Sequence, residues 1–440
     1  MLLKMTIENF LSFRDKTIFS MNANSGRKFT QRVQYHSHYK KRVLPIVGIF
    51  GGEPTGHESF CKALRFFRQL VKETPNYVNS LNLYTFQNYS ESGNLPVKMG
   101  VEILSNDSVY RYSFMALKDI IVNERLVKIT KSSKSILFER RKKKIKFHRN
   151  NETSDALKDL FKNMPKTQLF LPHSVRHKFK IYEDVYQWFD ETLHVVGPGT
   201  YVHPPISSDE TVRECLLIDD FIERMDRLNI GSHLDGVLVP KGEHIHTLLK
   251  EGKLNELGDF LIHVDKKNHQ VGVYYRYKTF NEQKLVQIFP FERNGIGEYI
   301  QLPRPFSTEK EKHGFVTQLC LADIQASATP KLYVLNFLEH SFDLIQAREI
   351  IAEYLERCSQ QTRSQIITTT GNALLLDKKV LRPDEIWISE PGNYGNTKLL
   401  SLGDFRKTIK EKPAWKGVKS KCIGGIYTTL LMAALEVNQG

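Results

Sequence analysis

Residues 46–67 read IVGIFGGEPTGHESFCKALRFF, and this stretch decides the fold of the chain. Its first part, residues 46–50, is an unbroken apolar run that is typical of a buried strand. A turn that contains glycine follows at residues 51–56, and apolar residues then recur at the spacing of one helix face: Phe60, Ala63, Leu64 and Phe67. The order strand, glycine turn, helix is the one in which backbone N–H groups and a helix N-terminus hold phosphate groups.

The glycine turn matches only part of the phosphate-loop pattern G-x-x-x-x-G-K-[ST]. Gly51 and Gly56 have the required separation, but the Lys position holds His57 and the Ser/Thr position holds Glu58, with Ser59 next. The stretch therefore predicts the scaffold of a nucleotide-binding loop without its two chemical residues. The alternative is an ordinary strand, turn and helix with no phosphate function.

Length and composition indicate a globular chain with a substantial core. The 440 residues are 40% hydrophobic and 25% charged, and they contain no internal repeat and no low-complexity linker. This predicts one composite α/β unit with an insertion rather than a series of separate domains. The net charge of +14 has two interpretations, solubility or an anionic partner such as DNA or RNA.

The sequence also bears on compartment and metals. No apolar run approaches the roughly 18 residues that a membrane-spanning helix needs, and the start MLLKMTIENF is typical of a strand rather than a signal peptide. The five cysteines are scattered without a C-x-x-C pair. The histidine pairs His36/His38 and His244/His246 lack converging further ligands. We therefore expect a cytoplasmic protein without a metal site.

The strongest charge run in the chain is RRKKKIKFHR at residues 140–149. It lies in strand-like sequence, which predicts either a hairpin arm that carries cations along nucleic acid or a solvated edge strand whose lysines prevent aggregation. The candidate nucleic-acid contacts are Arg140, Arg141, Lys142, Lys143, Lys144 and Lys146.

Hydrophobic periodicity predicts the other elements. Alternating residues predict strands before the insertion at 97–103, 110–114, 125–131 and 136–140, and after it at 271–277 and 285–289. Helical spacing at residues 211–228 and 243–262 predicts a helical insertion. The last third alternates strands with a helix, which is typical of a parallel sheet: residues 332–335, 343–358, 365–369 and 385–389.

Taken in order, these segments resemble the ABC/SMC-like group of small prokaryotic AAA-family ATPases. These are relatives of the overcoming-lysogenization-defect and recombination-repair ATPases, and many belong to phage-defence or abortive-infection systems. The segments that carry the resemblance are MLLKMTIENFLSFRDKTIFSM (1–21), GIFGGEPTGHESFCKALRFF (48–67), LYVLNFLEHSFD (332–343), IITTTGN (366–372) and RPDEIWISE (382–390).

The resemblance implies an ABC-ATPase-like α/β fold: a P-loop mixed sheet with an antiparallel β lobe and an inserted helical arm. The lobe with the phosphate loop and the β-rich part would span residues 1–205. The helical insertion would span residues 206–265, and the lobe with the signature, Walker B and switch positions would span residues 266–440.

The departures from the family's pattern concern the chemistry. An ABC-type site needs a Lys and a Ser/Thr in the loop, an Asp for Mg²⁺, a Glu to activate water, a signature Ser and a switch His. The corresponding positions hold His57, Glu58, Asn336, Phe337, Lys312 and Gly371. A phenyl ring cannot polarise water, and a neutral amide lacks the charge that holds Mg²⁺. The replacements therefore disfavour ATP and Mg²⁺ as cofactors and predict loss of hydrolysis.

Three functions follow as hypotheses. The first is a non-hydrolysing subunit that acts as scaffold, sensor or regulator in an anti-phage complex, with a nuclease or an intact ATPase as partner. The second is an active or nucleotide-binding ATPase coupled to DNA and a partner nuclease, and the third is a DNA-binding module. The resemblance implies that two such lobes associate, as a homo- or hetero-oligomer.

Overall fold

The structure is a computed structural model, and it describes a defined part of the chain. The described residues are 1–51, 56–72, 94–118, 120–147, 154–196, 254–257, 260–265, 270–278, 283–291, 317, 324, 329–336, 338, 342–372, 375, 377, 379–392 and 395–404. Every structural statement below concerns these residues.

The chain divides into two compact units. The first consists of Met1–Val195, Thr329–Glu339 and Ala347–Gly440, and the second consists of Val196–Ala328 and His340–Gln346. The N-terminal and C-terminal parts of the chain therefore fold together in the first unit. The predicted domain boundaries after residues 205 and 265 stay predictions.

The strands, in chain order, are β1 Leu2–Glu8, β2 Thr17–Ser20, β3 Gln34–His36, β4 Lys41–Val43, β5 Ile46–Phe50, β6 Val97–Ser105, β7 Ser108–Leu117, β8 Ile120–Ile129, β9 Lys134–Arg141, β10 Lys144–Phe147, β11 Leu193–Val196, β12 Leu254–Leu257, β13 Phe260–Asp265, β14 Gln270–Lys278, β15 Gln283–Phe291, β16 Leu332–Leu335, β17 Gln365–Thr370, β18 Ile386–Pro391 and β19 Thr397–Ser401. The α-helices are α1 His57–Lys72, α2 Ser154–Lys162, α3 Phe170–Arg176, α4 Glu183–Gln187 and α5 Leu344–Arg357. Short 3₁₀ helices span Thr30–Arg32, Lys180–Tyr182 and Pro383–Glu385, and a π-helix spans Trp188–Thr192.

The first unit contains two large sheets of different type. One has the order β10-β9-β8-β7-β6-β1-β2, and all its neighbours are antiparallel. The other has the order β11-β16-β17-β5-β18-β19. In this sheet β16, β17, β5 and β18 pair in parallel, and β19 is antiparallel to β18. The expected mixed α/β architecture with an antiparallel lobe is confirmed.

Helix α1 packs through its apolar face against the antiparallel sheet, which in turn contacts the parallel strands. The ring of Phe60 lies 4.6 Å from that of Phe19 on β2, and the ring of Phe67 lies 5.7 Å from that of Tyr112 on β7. Phe19 in turn lies 5.0 Å from Trp387 on β18. A fully buried phenylalanine contributes about 1.5–3 kcal/mol of transfer free energy. These rings therefore hold the helix that follows the glycine turn in a fixed position.

The prediction of a helix at residues 243–262 is wrong where the structure describes it. Residues 254–257 form β12 and residues 260–262 begin β13. These strands belong to a four-stranded antiparallel sheet of order β12-β13-β14-β15, and β13 pairs with β14 along its whole length. Short apolar patterns do not distinguish strand from helix, and sheet pairing decides between them. The helix predicted at 211–228 lies outside the described residues.

Candidate functional site

The carboxyl ends of three parallel strands meet at one edge of the six-stranded sheet. Phe50 on β5 is paired with Thr370 on β17, and Leu335 on β16 is paired with Thr368. Gly51 continues from β5, and its N–H donates to the carbonyl of Thr370 over 3.1 Å. This edge is where α/β sheets bind ligands. The structure therefore brings together the residues that follow these strands, Gly51, Asn336 and Gly371.

Gly56, the second glycine of the turn, is fixed by its backbone conformation and by its neighbours. Its φ angle is +83°, which a residue with a side chain rarely adopts. A Cβ atom there would run into the hydroxyl groups of Ser12 and Thr397. These two residues are joined by a backbone hydrogen bond, in which Thr397 N–H donates to the Ser12 carbonyl over 2.7 Å. The start of α1 follows directly, and Ser59 N–H donates to the Gly56 carbonyl over 2.9 Å.

His57, at the position of the phosphate-loop lysine, is turned into the protein. Its exposure is 2%, and Cys61, one helical turn later and therefore on the same face, is exposed by only 1%. The thiol of Cys61 interacts with the side chain of Thr369 on β17, and burial raises the pKa of this thiol to about 12. The inward face of the first turns of α1 is therefore packed against the sheet.

Glu58, at the position of the phosphate-loop hydroxyl, has a cationic neighbour. Its Oε1 lies 2.9 Å from Nζ of Lys62, one turn further along α1. Both side chains are close to half exposed, 44% for Glu58 and 49% for Lys62. Lys62 therefore offsets part of the negative charge that the motif alone assigns to this position.

Asn336, which the sequence resemblance predicts at the metal-binding position, directly follows β16. It is 3% exposed, and its Oδ1 accepts a hydrogen bond from Thr369 Oγ1 over 2.6 Å. Mg²⁺ is held by carboxylates and by phosphate oxygens. Among the described residues, this position offers a neutral amide, and the carboxylate of Glu58 on α1 is paired with Lys62.

The remaining predicted positions are only partly described. Gly371 directly follows β17, and the next residue, Asn372, donates its N–H to Thr370 Oγ1 over 3.0 Å. Phe337, Lys312 and residues 52–55 of the glycine turn lie outside the described residues. Among the described residues there is no group of three or more His, Cys, Asp or Glu that could hold a metal ion.

Residues 140–147 of the charge run belong to a hairpin at one edge of the antiparallel sheet, and residues 148 and 149 lie outside the described residues. β9 and β10 pair with Lys144 opposite Arg141, and β10 is the edge strand. Five of the six candidate cations are exposed: Arg141, Lys142, Lys143, Lys144 and Lys146. Ile145 and Phe147 point to the other face and pack against the core. The hairpin therefore presents a basic outer surface.

Arg140 is the exception, because the structure buries the side chain that the sequence predicted as an exposed nucleic-acid contact. Its exposure is 2%, and its guanidinium group donates to the carbonyls of Gln168 (2.6 Å) and Lys166 (3.2 Å). It also lies 3.7 Å from the fully buried carboxylate of Glu124. The strand alternation directs Arg140 to the same side as Phe138, so its charge faces the core rather than a solvent-borne phosphate.

Glu124 is a central residue that the sequence did not single out. Its carboxylate accepts hydrogen bonds from Tyr112 Oη (2.9 Å), Phe170 N–H (2.6 Å) and Leu171 N–H (2.9 Å). Burial raises the pKa of Glu124, while Arg140 and these hydrogen bonds oppose the rise. The cluster joins β7, β8 and β9 to the start of α3, and its role is structural.

Comparisons with known proteins give structural neighbours only. No protein-family profile and no curated protein matches the chain. A solved structure described as an SMC head domain from Thermotoga maritima is 12% identical, covers 91% of this chain and 98% of its own, and has a TM-score of 0.32. A second, an SmcHead bound to the C-winged helix domain of ScpA, is 10% identical, covers 92% and 99%, and has a TM-score of 0.35. No helix in the described part of the chain is long and apolar enough to cross a membrane.

Proposed function

We propose that this chain is a subunit with an ABC-type ATPase fold that does not hydrolyse ATP and acts as a scaffold, sensor or regulator. The support for the fold is the order β5, glycine turn, α1, with β5 between the parallel strands β17 and β18. The support for the lack of hydrolysis is chemical. The positions that would hold Mg²⁺ and activate water carry Asn336 and Phe337.

One observation carries the proposal. The Asn336 Oδ1 atom accepts the Thr369 hydroxyl proton at the sheet edge where a metal-binding carboxylate would be needed. The Asn336 amide is neutral, and one of the two lone pairs of its oxygen is engaged by Thr369. Without a carboxylate here, the protein would lack the anionic oxygen ligand that holds Mg²⁺ on this side of the site.

The biological context of the proposal comes from the sequence resemblance. Many proteins of that group belong to phage-defence or abortive-infection systems, so the partner would be a nuclease or an ATPase subunit with intact motifs. Such a complex would be cytoplasmic and would form as a homo- or hetero-oligomer. Co-purification from the native host under phage challenge would identify the partner.

The proposal also predicts that the natural chain binds nucleotide weakly and that two substitutions in the glycine turn restore binding. The variant His57→Lys/Glu58→Ser returns the cation and the hydroxyl of a phosphate loop, and it removes the carboxylate beside the expected phosphate position. The unfolding temperature of the natural chain and of the variant is measured with and without ATP, because a ligand that binds the folded state raises stability by mass action. We expect additional stabilisation of the variant over the natural chain. Equal stabilisation of both, at zero or above it, would contradict this explanation.

A second candidate function is nucleic-acid binding by the exposed cations of the β9–β10 hairpin. The specific observation is the density of positive charge, with Lys142 and Lys143 in the turn and Lys144 and Lys146 on the edge strand. Contacts to phosphates would come from these side chains and from Arg141, without base recognition.

A further inference from the structure

A cavity of about 450 Å³ lies at the edge of both sheets of the first unit, and nothing in the proposed function uses it. Its walls come from β1 and β2, from the β3–β4 hairpin, and from the region of β18 and β19. The volume is within the range of roughly 300–1,000 Å³ that is usual for small-molecule sites. We refer to it as the basic cavity.

Four cationic side chains line the basic cavity: Lys4, Lys40, Lys41 and Arg42. Lys41 lies 3.9 Å from Glu102, which is a weak ion pair, and the other three make no ion pair with any described residue. Lys4 and Lys40 are exposed and Arg42 is half-buried. These cations converge from a strand and from a separate hairpin, so their proximity is a property of the fold and not of a single charge run.

The wall has two carboxylates, Asp384 and Asp404, against these four cations. Asp384 accepts hydrogen bonds from Arg382 Nε (2.9 Å) and Nη2 (2.8 Å), and its second oxygen also accepts the Asn24 N–H over 2.7 Å. Its charge is therefore balanced by Arg382, a residue 1% exposed. Asp404 is the other lining carboxylate. Four cations against two carboxylates, one of which is already balanced by Arg382, leave the cavity positive.

The wall also contains polar atoms whose hydrogen-bonding capacity is not used. Among the described residues, no partner exists for the indole Nε1 of Trp387 or for Oδ1 of Asn22, and both atoms are buried. The amide nitrogen of Asn22, by contrast, is held by the Leu3 carbonyl and the Ser20 hydroxyl. Buried polar atoms without a partner are uncommon in folded proteins. Both atoms lie beneath the surface of the wall, so the cations that line the cavity, and not these two atoms, indicate a ligand.

The basic cavity is separate from the phosphate-loop position. Strand β19 begins at Thr397, next to Gly56, and ends at Ser401, which lines the cavity. Four residues of extended strand span about 13 Å. A ligand in the cavity would therefore occupy a different place from a nucleotide on the loop between β5 and α1.

We infer that the basic cavity binds a small phosphorylated molecule of about nucleotide size. Several converging cations select an anion with more than one charge, and a guanidinium group beside lysines is the combination that favours phosphate oxygens. The concave shape and the limited volume favour a small molecule over a nucleic-acid duplex. An acidic peptide is the competing occupant, and it is an outcome of the test.

The test is calorimetric titration of the full chain with pyrophosphate, ADP and adenosine, without Mg²⁺ and at fixed ionic strength. We expect pyrophosphate and ADP to bind and adenosine not to bind. Arg42→Ala and Lys4→Ala should each weaken binding about tenfold, because each removes one charge-assisted contact. Arg42→Lys should bind more tightly than Arg42→Ala but less tightly than the natural chain, because it keeps the charge and loses the guanidinium fork. Lys131→Ala, which removes the same charge at an exposed turn outside the cavity, should leave the affinity unchanged.

Intrinsic fluorescence gives an independent readout, because Trp387 lines the cavity and the chain has three tryptophans. Pyrophosphate should change the emission of the natural chain but not that of Trp387→Phe. The inference is overturned if adenosine binds as well as ADP, if Arg42→Ala and Lys4→Ala bind like the natural chain, or if only an acidic peptide binds. Absence of binding by either phosphate probe at millimolar concentration would also overturn it. If Arg42→Ala failed to fold, the exposed Lys4→Ala would decide.

Discussion

Arg140 and Arg141 are adjacent in sequence and have the same charge, but the structure assigns them opposite energetic roles. Arg140 is 2% exposed and donates to two backbone carbonyls beside the buried Glu124. The side chain of Arg141 is 74% exposed and pairs with Glu139 over 2.8 Å. The pair of variants Arg140→Ala and Arg141→Ala therefore separates a buried structural cation from a surface cation with a matched change of charge.

The expected magnitudes differ clearly. Removing one partner of a buried ion pair costs about 3–5 kcal/mol, because the other charge stays buried without compensation. An exposed pair contributes about 0–1 kcal/mol. The three hydrogen bonds to Glu124 remain in Arg140→Ala, which favours the lower part of the range. With roughly 2 °C per kcal/mol for a folded unit of this size, we expect Arg140→Ala to unfold about 6 °C below Arg141→Ala.

Thermal unfolding followed by circular dichroism measures this difference, and the variant Glu124→Gln/Arg140→Met is the control. Because this double variant removes both charges, it should recover much of the stability that Arg140→Ala loses. The explanation is refuted if Arg140→Ala and Arg141→Ala unfold at the same temperature. It is also refuted if the double variant is less stable than Arg140→Ala.

Two further predictions concern charge on the surface and in the core. Reversal of Lys142, Lys143 and Lys144 to glutamate should weaken any nucleic-acid binding. It should also lower the slope of log affinity against log salt concentration by on the order of 2–3. Unchanged binding in filter assays would leave these lysines only the role of an edge strand that prevents aggregation. Burial raises the pKa of Glu385 to about 7. Between pH 4.5 and 7 the folded chain therefore holds a proton on Glu385 that the unfolded chain releases. The free energy of unfolding should fall by roughly 3 kcal/mol as the pH rises through this range. Glu385→Gln should remove this fall in the free energy of unfolding when denaturation is measured against pH. Burial lowers the pKa of His194 to about 3, which gives the opposite dependence on pH. The difference between the natural chain and Glu385→Gln cancels that contribution, because both proteins contain His194.

The elements around the glycine turn could be predicted because their signals are local. The apolar run at 46–50 and the helical recurrence of Phe60 and Phe67 correspond to β5 and α1. The strands at 332–335 and 365–369 correspond to β16 and to most of β17 for the same reason. Alternation, flanking turns and helical spacing each arise from residues close in sequence.

The errors concern properties that depend on distant residues. The burial of Arg140 follows from pairing with Glu124, 16 positions earlier, and from carbonyls that come after β10. The phase of the strand offered one usable signal, because Arg140 is in step with Phe138. The pairing of β13 with β14 replaced a predicted helix, and pairing partners cannot be identified from a single short window. The proximity of Lys4 to Arg42 in the basic cavity had no sequence signal.

The measurement that tests the central claim most directly is phosphate release from Mg-ATP by the purified full chain. With Asn336 bonded to Thr369 and no carboxylate at that position, we expect release at the background rate, and the same rate in Asn336→Ala. Turnover near ~1 s⁻¹, which is the low end of ordinary enzyme rates, would contradict the claim if Asn336→Ala abolished it. The chain would then be an active ATPase with a remodelled site.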